Sequence, residues 1–139
     1  MNYKETLEAL DLAVRSKAVP LIIGESGIGK TSLIREYSRD NGHYLVNIDA
    51  NLLKEGEIGG LPMVERGRTA YATHHKLTEI DNYLQAHDGK VMLFIDEINR
   101  CDHSVQQELM NLILNREING YRLSDRVIVA AAMNPSNRM

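Results

Sequence analysis

Cysteine is almost missing from this chain, with Cys101 the only one in 139 residues. An intrachain disulfide is therefore excluded, and a reducing compartment is the default expectation. No apolar run approaches the roughly 20 residues of a membrane-spanning helix. The opening Met1-Asn2-Tyr3-Lys4-Glu5 lacks the apolar region of a signal peptide. The chain reads as cytoplasmic, with no membrane partner. Basic charge is not in excess either. Sixteen Lys and Arg against nineteen Asp and Glu leave a net charge of −3, which argues against a surface that grips nucleic acid by charge alone. Internal repeats and low-complexity tracts are absent. A length of 139 residues is too short for two domains and long enough for one with a real core.

What is present centres on Gly24-Glu25-Ser26-Gly27-Ile28-Gly29-Lys30-Thr31, a complete G-x-x-x-x-G-K-[ST] string. Its neighbours give it meaning. Val19-Pro20-Leu21-Ile22-Ile23 is a short apolar run suited to a buried strand. Leu33, Ile34 and Tyr37 follow at helical spacing. Strand, glycine loop and helix together make a phosphate-binding loop. Glycines let backbone N–H groups turn inward around an anion, and the helix N-terminus adds partial positive charge. Residues Gly24 to Ser32 are the candidate nucleotide cradle. Lys30 is placed to reach the β- and γ-phosphates and the Thr31 hydroxyl to ligate Mg²⁺.

The rest of the chain alternates. Leu7, Leu10 and Val14 share one face of a leading helix within residues 1–17. Asn41-Gly42 marks the stop after the loop's helix, and Tyr44-Leu45-Val46-Asn47-Ile48 is a second strand. Glu55-Gly56-Glu57-Ile58-Gly59-Gly60-Leu61-Pro62 is too rich in glycine for a regular element and reads as a mobile loop. Residues 69–86 read as a helix through Leu77, Ile80 and Leu84. Val91-Met92-Leu93-Phe94-Ile95 is an unbroken apolar run, as a central parallel strand covered on both faces requires. A helical stripe follows through Val105, Leu109, Leu112 and Ile113. Asn119-Gly120 is the strongest short hairpin signal, usually a type I′ turn. Val127 to Ala132 form a fourth strand, followed by Asn134-Pro135. This order predicts an α/β three-layer α/β/α sandwich with a mostly parallel sheet and a β-hairpin insertion.

Ligands of such sheets bind at the carboxyl ends of the strands. One strand there delivers the glycine loop, another Asp96 and Glu97, and the last Asn134. Asp96 fits a carboxylate that holds Mg²⁺ through water. Glu97, beside it, suits a base that orients and deprotonates the water attacking the γ-phosphate. Lys30, Glu97 and Asn134 are thus the candidate catalytic set, and Thr31 and Asp96 the candidate metal ligands. The bland alternative makes Asp96-Glu97 a solvated strand end opening a helix. His74-His75 lacks the spacing of a metal pair, Cys101 has no partner implied by spacing, and Arg66 and Arg68 read as a wet face.

The phosphate loop, Phe94-Ile95-Asp96-Glu97-Ile98-Asn99-Arg100, the Asn-Gly hairpin and Ala131-Ala132-Met133-Asn134-Pro135 resemble an AAA+ ATPase of the MoxR and dynein-related branch. The resemblance covers about residues 17–139. It implies a single P-loop nucleotide-binding core (an NTPase fold) across residues 1–139 that binds ATP with Mg²⁺ and works in a ring, such as a hexamer, on a protein or nucleic-acid client. It implies that Asn134 is sensor 1, that the Asn119-Gly120 hairpin is the pre-sensor insertion, and that Ile58-Gly59-Gly60-Leu61 lies where substrate-gripping pore elements sit. Such modules continue to a fifth strand, an arginine finger and a helical lid with sensor 2, whereas this sequence stops at Met139. A fragment or truncated product is expected, with no residue matching the finger. Arg100 and Arg116 read as ordinary surface arginines in regions able to face a neighbour. A finger is worth about 10³–10⁵ in rate, so slow hydrolysis is expected of the chain alone.

Other readings compete. The Asn-Lys-x-Asp string of Ras-like GTPases is absent, although a restriction-linked relative of the same branch uses GTP without it. Small-molecule kinases share the loop but usually lack a Glu after the metal-binding Asp and a sensor Asn. A nucleotide-binding module that does not hydrolyse on its own is the remaining alternative.

Overall fold

A computed structural model describes residues 2–24, 28–60 and 62–135. In chain order it comprises α1 (Tyr3–Arg15), β1 (Leu21–Ile23), α2 (Ile28–Asp40), β2 (His43–Asp49), a 3₁₀ turn at Ala50–Leu52, β3 (Pro62–Glu65) and β4 (Arg68–Tyr71). Then come α3 (His75–Ala86), β5 (Lys90–Asp96), α4 (His103–Asn115), β6 (Glu117–Ile118), β7 (Tyr121–Arg122) and β8 (Val127–Met133).

β1, β8, β5 and β2 form one parallel sheet in that order. Alternate residues of a strand face opposite sides, and β5 commits its five central residues, Val91 to Ile95, to core. Val91, Leu93 and Ile95 pack with Leu77 and Ile80 of α3 and with Val105, Leu109 and Leu112 of α4. Met92 and Phe94 face the other way, against Leu10 of α1 and Leu33, Ile34 and Tyr37 of α2. The unbroken apolar run therefore marks a strand sandwiched between two helical layers. The predicted three-layer α/β/α architecture is present, and its four parallel strands are those read from the sequence.

Helix ends follow local chemistry. Asn2 and Glu5 form a capping box on α1, with Asn2 Oδ1 accepting the Glu5 N–H at 2.8 Å and Glu5 Oε1 the Asn2 N–H at 3.2 Å. The predicted Asn119-Gly120 turn joins β6 to β7, with φ of 47° and 85° at its two central residues. Two positive φ angles are what a type I′ turn demands.

Residues 50–74 differ from the expectation. Residues 69–71 are not helix but β4, paired antiparallel with β3. The turn between them is Arg66-Gly67, with φ of 53° and 77°. The preceding loop is packed, not free: Ile58 is 1% exposed and belongs to the core of the α3/α4 side. Gly60 has φ +85°, and a Cβ there would lie 1.9 Å from the Ala72 carbonyl oxygen. Gly59 and Gly60 serve close packing, whereas nothing crowds Gly56, so this stretch is packed against the fold where a mobile loop was expected. Leu61 lies outside the described residues. His74 caps α3, its Nδ1 accepting the Lys76 N–H at 3.1 Å, so the two histidines do not sit together within a helix.

Candidate functional site

Sheet order decides the site. β1, β8 and β5 are adjacent, so Gly24, Asn134 and Asp96 arrive side by side at the carboxyl edge. The Gly24 N–H bonds the Met133 carbonyl at 3.2 Å, extending the ladder one step past β1. Glu25, Ser26 and Gly27 lie outside the described residues. Ile28, Gly29 and Lys30 make the first turn of α2, where unpaired N–H groups and the helix dipole favour an anion. Thr31 and Ser32 follow, both half-buried.

Lys30 is buried at 5% exposure, unusual for an ammonium unless it is paired. Its Nζ lies 3.4 Å from Asp96 Oδ1 and 3.6 Å from Glu97 Oε1, and donates to the Met133 carbonyl at 3.4 Å. Three candidate residues drawn from 66 positions apart in sequence, Lys30 to Asp96, thus share one small volume. Asn134 is 1% exposed at the end of β8.

Glu97 adopts φ 60°, in the left-handed region a side chain rarely occupies. Its neighbours hold it there. The Glu97 N–H donates to Asp96 Oδ1 at 2.8 Å, and the Arg100 N–H to the Glu97 carbonyl at 2.9 Å. The Ile98 N–H reaches the Ala132 carbonyl of β8 at 3.0 Å. Instead of opening a helix, the Asp96–Arg100 string turns back across β8. Glu97 is thus neither solvated, at 9% exposure, nor the start of a helix, whereas the Asp96 side chain stays partly open at 24%.

Two participants escaped the reading from residue types. The Asn99 amide donates to the Asn134 carbonyl at 2.8 Å, while its Oδ1 accepts the Asn134 N–H at 3.1 Å. Asn99 thereby clasps the backbone of the candidate sensor. Arg100 is exposed, as expected of a surface arginine, yet it places Nε 3.1 Å from Glu97 Oε2, in ion-pair contact. A spacing of three pairs side chains on a helix, but Glu97 to Arg100 are not helical, so the spacing alone was no guide to this contact. Arg116 does depart from the surface expectation: it is half-buried, and its guanidinium donates to the Ser124 and Val127 carbonyls at 2.8 and 2.7 Å, closing the chain after α4. Cys101 donates its thiol to the Ile98 carbonyl, and burial pushes the thiol pKa up, away from reactivity.

A family model described as AAA domain (dynein-related subfamily) matches residues 20–138. The chain belongs to that family. A chaperone protein ClpB from Mycoplasmoides gallisepticum is 31% identical over 93 residues, covering 64% of this chain and 12% of that one. Among solved structures, a proposed ATPase from Cytophaga hutchinsonii superposes with TM-score 0.65 at 17% identity, covering 98% of this chain and 40% of that one. The RuvB Holliday junction branch migration motor of Thermotoga maritima gives TM-score 0.53 at 20% identity, with 97% and 39% coverage. The AAA chain thus spans about two-fifths of these structures and about an eighth of the ClpB relative. At these identities the superpositions establish the shared P-loop NTPase fold.

The family implies ATP with Mg²⁺, and the donor set fits both. Mg²⁺ prefers one or two carboxylates and retains waters and phosphate oxygens as its other ligands. One hydroxyl, Thr31, and one strand-end carboxylate, Asp96, match that demand. No group of three or more His, Cys, Asp or Glu side chains able to hold a metal occurs among the described residues. No described helix is long and apolar enough to cross a membrane.

Proposed function

We propose that residues 1–139 act as one nucleotide-binding core that binds ATP with Mg²⁺ and hydrolyses it, driving remodelling of a protein or nucleic-acid client within a homo-oligomeric ring in the cytoplasm. The observation that carries this reading is the buried Lys30 ammonium, 3.4 Å from Asp96 and 3.6 Å from Glu97 at the first turn of α2. Residues Gly24–Ser32 cradle the phosphates, with Lys30 binding β- and γ-oxygens. Thr31 and Asp96 hold the metal, which when bound neutralises charge building on the phosphate oxygens. Glu97 takes the proton of the attacking water on its carboxylate. Its depth, at 9% exposure, keeps bulk water from competing with the oriented one. Asn134 supplies a neutral polar contact to the same region. Phosphoryl transfer asks mainly for such positioning and charge compensation. ATP is favoured over GTP by the family, and a GTP-using site remains the second outcome to be tested.

The test is equilibrium binding of a fluorescent ATP or GTP analogue, together with Mg-nucleotide turnover over a protein-concentration series. Lys30→Ala is expected to abolish detectable binding. Glu97→Gln is expected to bind at least as well as the unsubstituted protein while its turnover falls at least about 100-fold. Unchanged turnover in Glu97→Gln removes Glu97 as the base. Binding without turnover at every concentration leaves a module that does not hydrolyse alone.

A further inference from the structure

Glu97 stands between two cations. Lys30 Nζ is 3.6 Å from its Oε1 and Arg100 Nε is 3.1 Å from its Oε2. Asp96 Oδ1 is also 3.4 Å from Lys30. The four side chains form a neutral cluster of two carboxylates and two cations. Lys30 and Glu97 are 4% and 11% exposed at the side chain, so solvent screens their interaction little. Arg100 is 33% exposed and approaches Glu97 from the outer side.

We infer that Arg100 is a positioning residue for nucleotide binding, which neutralises Glu97 and so releases Lys30 to phosphate. The inference rests on the phosphate-site reading above. To bind a phosphate, Lys30 must exchange its carboxylate partners for phosphate oxygens. The cost of that exchange depends on how strongly Asp96 and Glu97 hold it. Arg100 shares the charge of Glu97 and weakens its grip on Lys30. Without Arg100 the cluster holds one cation against two carboxylates. The surplus negative charge then restrains Lys30 and repels the incoming anion. Arg100 acts through Glu97 and Lys30, not by touching the nucleotide.

This predicts a specific coupling, which a double-mutant cycle reads without any turnover. Equilibrium binding of a fluorescent ATP analogue with Mg²⁺ is measured for the unsubstituted protein, Arg100→Ala, Glu97→Gln and the double variant. Thermal melting of each reports folding. Arg100→Ala is expected to raise Kd about five-fold, but less than about two-fold when Glu97→Gln is already present. Arg100→Lys is expected to return Kd to within about two-fold of the starting value. Equal loss in both backgrounds means that Arg100 meets the nucleotide directly, and overturns the inference. No loss in either overturns it too. Absence of binding by the unsubstituted protein overturns the phosphate-site reading and the inference together, whereas binding without coupling overturns the inference alone.

Discussion

Replacing Asn99 by Leu removes the clasp that holds Asn134 in place. Asn99 is 5% exposed and Asn134 1%, and the lost bonds include the 2.8 Å donation to the Asn134 carbonyl and the 3.1 Å acceptance from its N–H. Each bond is worth about 1 kcal/mol net, and an amide backbone group left poorly satisfied in the interior costs about 1–3 kcal/mol more. The two together give a loss of about 2–5 kcal/mol, a large part of the ~5–15 kcal/mol that holds a domain folded. With a urea m-value near ~2 kcal/mol/M for a chain of this size, the unfolding midpoint should drop by about 1–2.5 M. Leu matches Asn in side-chain heavy-atom count and branching and is bulkier, so none of this loss reflects a cavity. Asn99→Asp is the informative comparison. It keeps an acceptor for the Asn134 N–H but sets a carboxylate oxygen against the Asn134 carbonyl, close to Asp96 and Glu97. At neutral pH it should destabilise at least as much as Leu. Urea unfolding followed by circular dichroism measures both. A Leu variant whose midpoint stays within about 0.2 M of the starting protein would refute the reasoning, because the clasp would then contribute nothing.

Two further outcomes follow from the same geometry. Asn119→Gly keeps the positive φ of the β6–β7 turn but deletes the 2.9 Å donation from Asn119 Nδ2 to the Gly59 carbonyl; amide exchange across residues 56–60 should speed up about five-fold with little change in global stability, and unchanged exchange would show the contact to be idle. Burial lowers the pKa of His43, with Lys90 nearby, and burial beside His75 lowers that of His74. Folding therefore favours both neutral imidazoles, so their contribution is present above the unfolded value near ~6.5 and is lost as pH falls below it. Protonation of His74 also removes the acceptor that caps α3. Urea midpoints should fall between pH 7 and pH 5, and His74→Asn, which keeps a capping oxygen, should fall less steeply.

Much of this fold was legible because its central strands are buried on both faces. Val91–Ile95 and Val127–Ala132 read as unbroken apolar runs, which few other elements produce. The phosphate loop was legible because glycine spacing, lysine and flanking elements had to agree. The β3–β4 hairpin was not. Its strands are four residues each, too short for alternation to stand out, and its turn is Arg66-Gly67, not Asn-Gly. Ile58 was hidden for a related reason: one apolar residue among glycines carries no periodicity, yet tertiary packing makes it core. The pairing of Arg100 with Glu97 was masked by backbone conformation. Nothing in a glutamate announces φ 60°, and the string therefore reads as the start of a helix.

That conformation at Glu97 explains how five consecutive residues serve different partners. A regular continuation of β5 would alternate their side chains between the two helical layers, away from α2's first turn and from the end of β8. The left-handed residue breaks this alternation. Asp96 then meets Lys30, Glu97 lies between Lys30 and Arg100, the Ile98 N–H joins β8 at Ala132, and Asn99 clasps Asn134. Holding a glutamate at positive φ costs about 1–2 kcal/mol that a glycine would not incur. A glycine at this position would relax the backbone but leave Lys30 with one carboxylate and Arg100 with none. The strain is tolerated where relieving it would dismantle the charge cluster, which places the demand for Glu97 in its carboxylate and not in the turn.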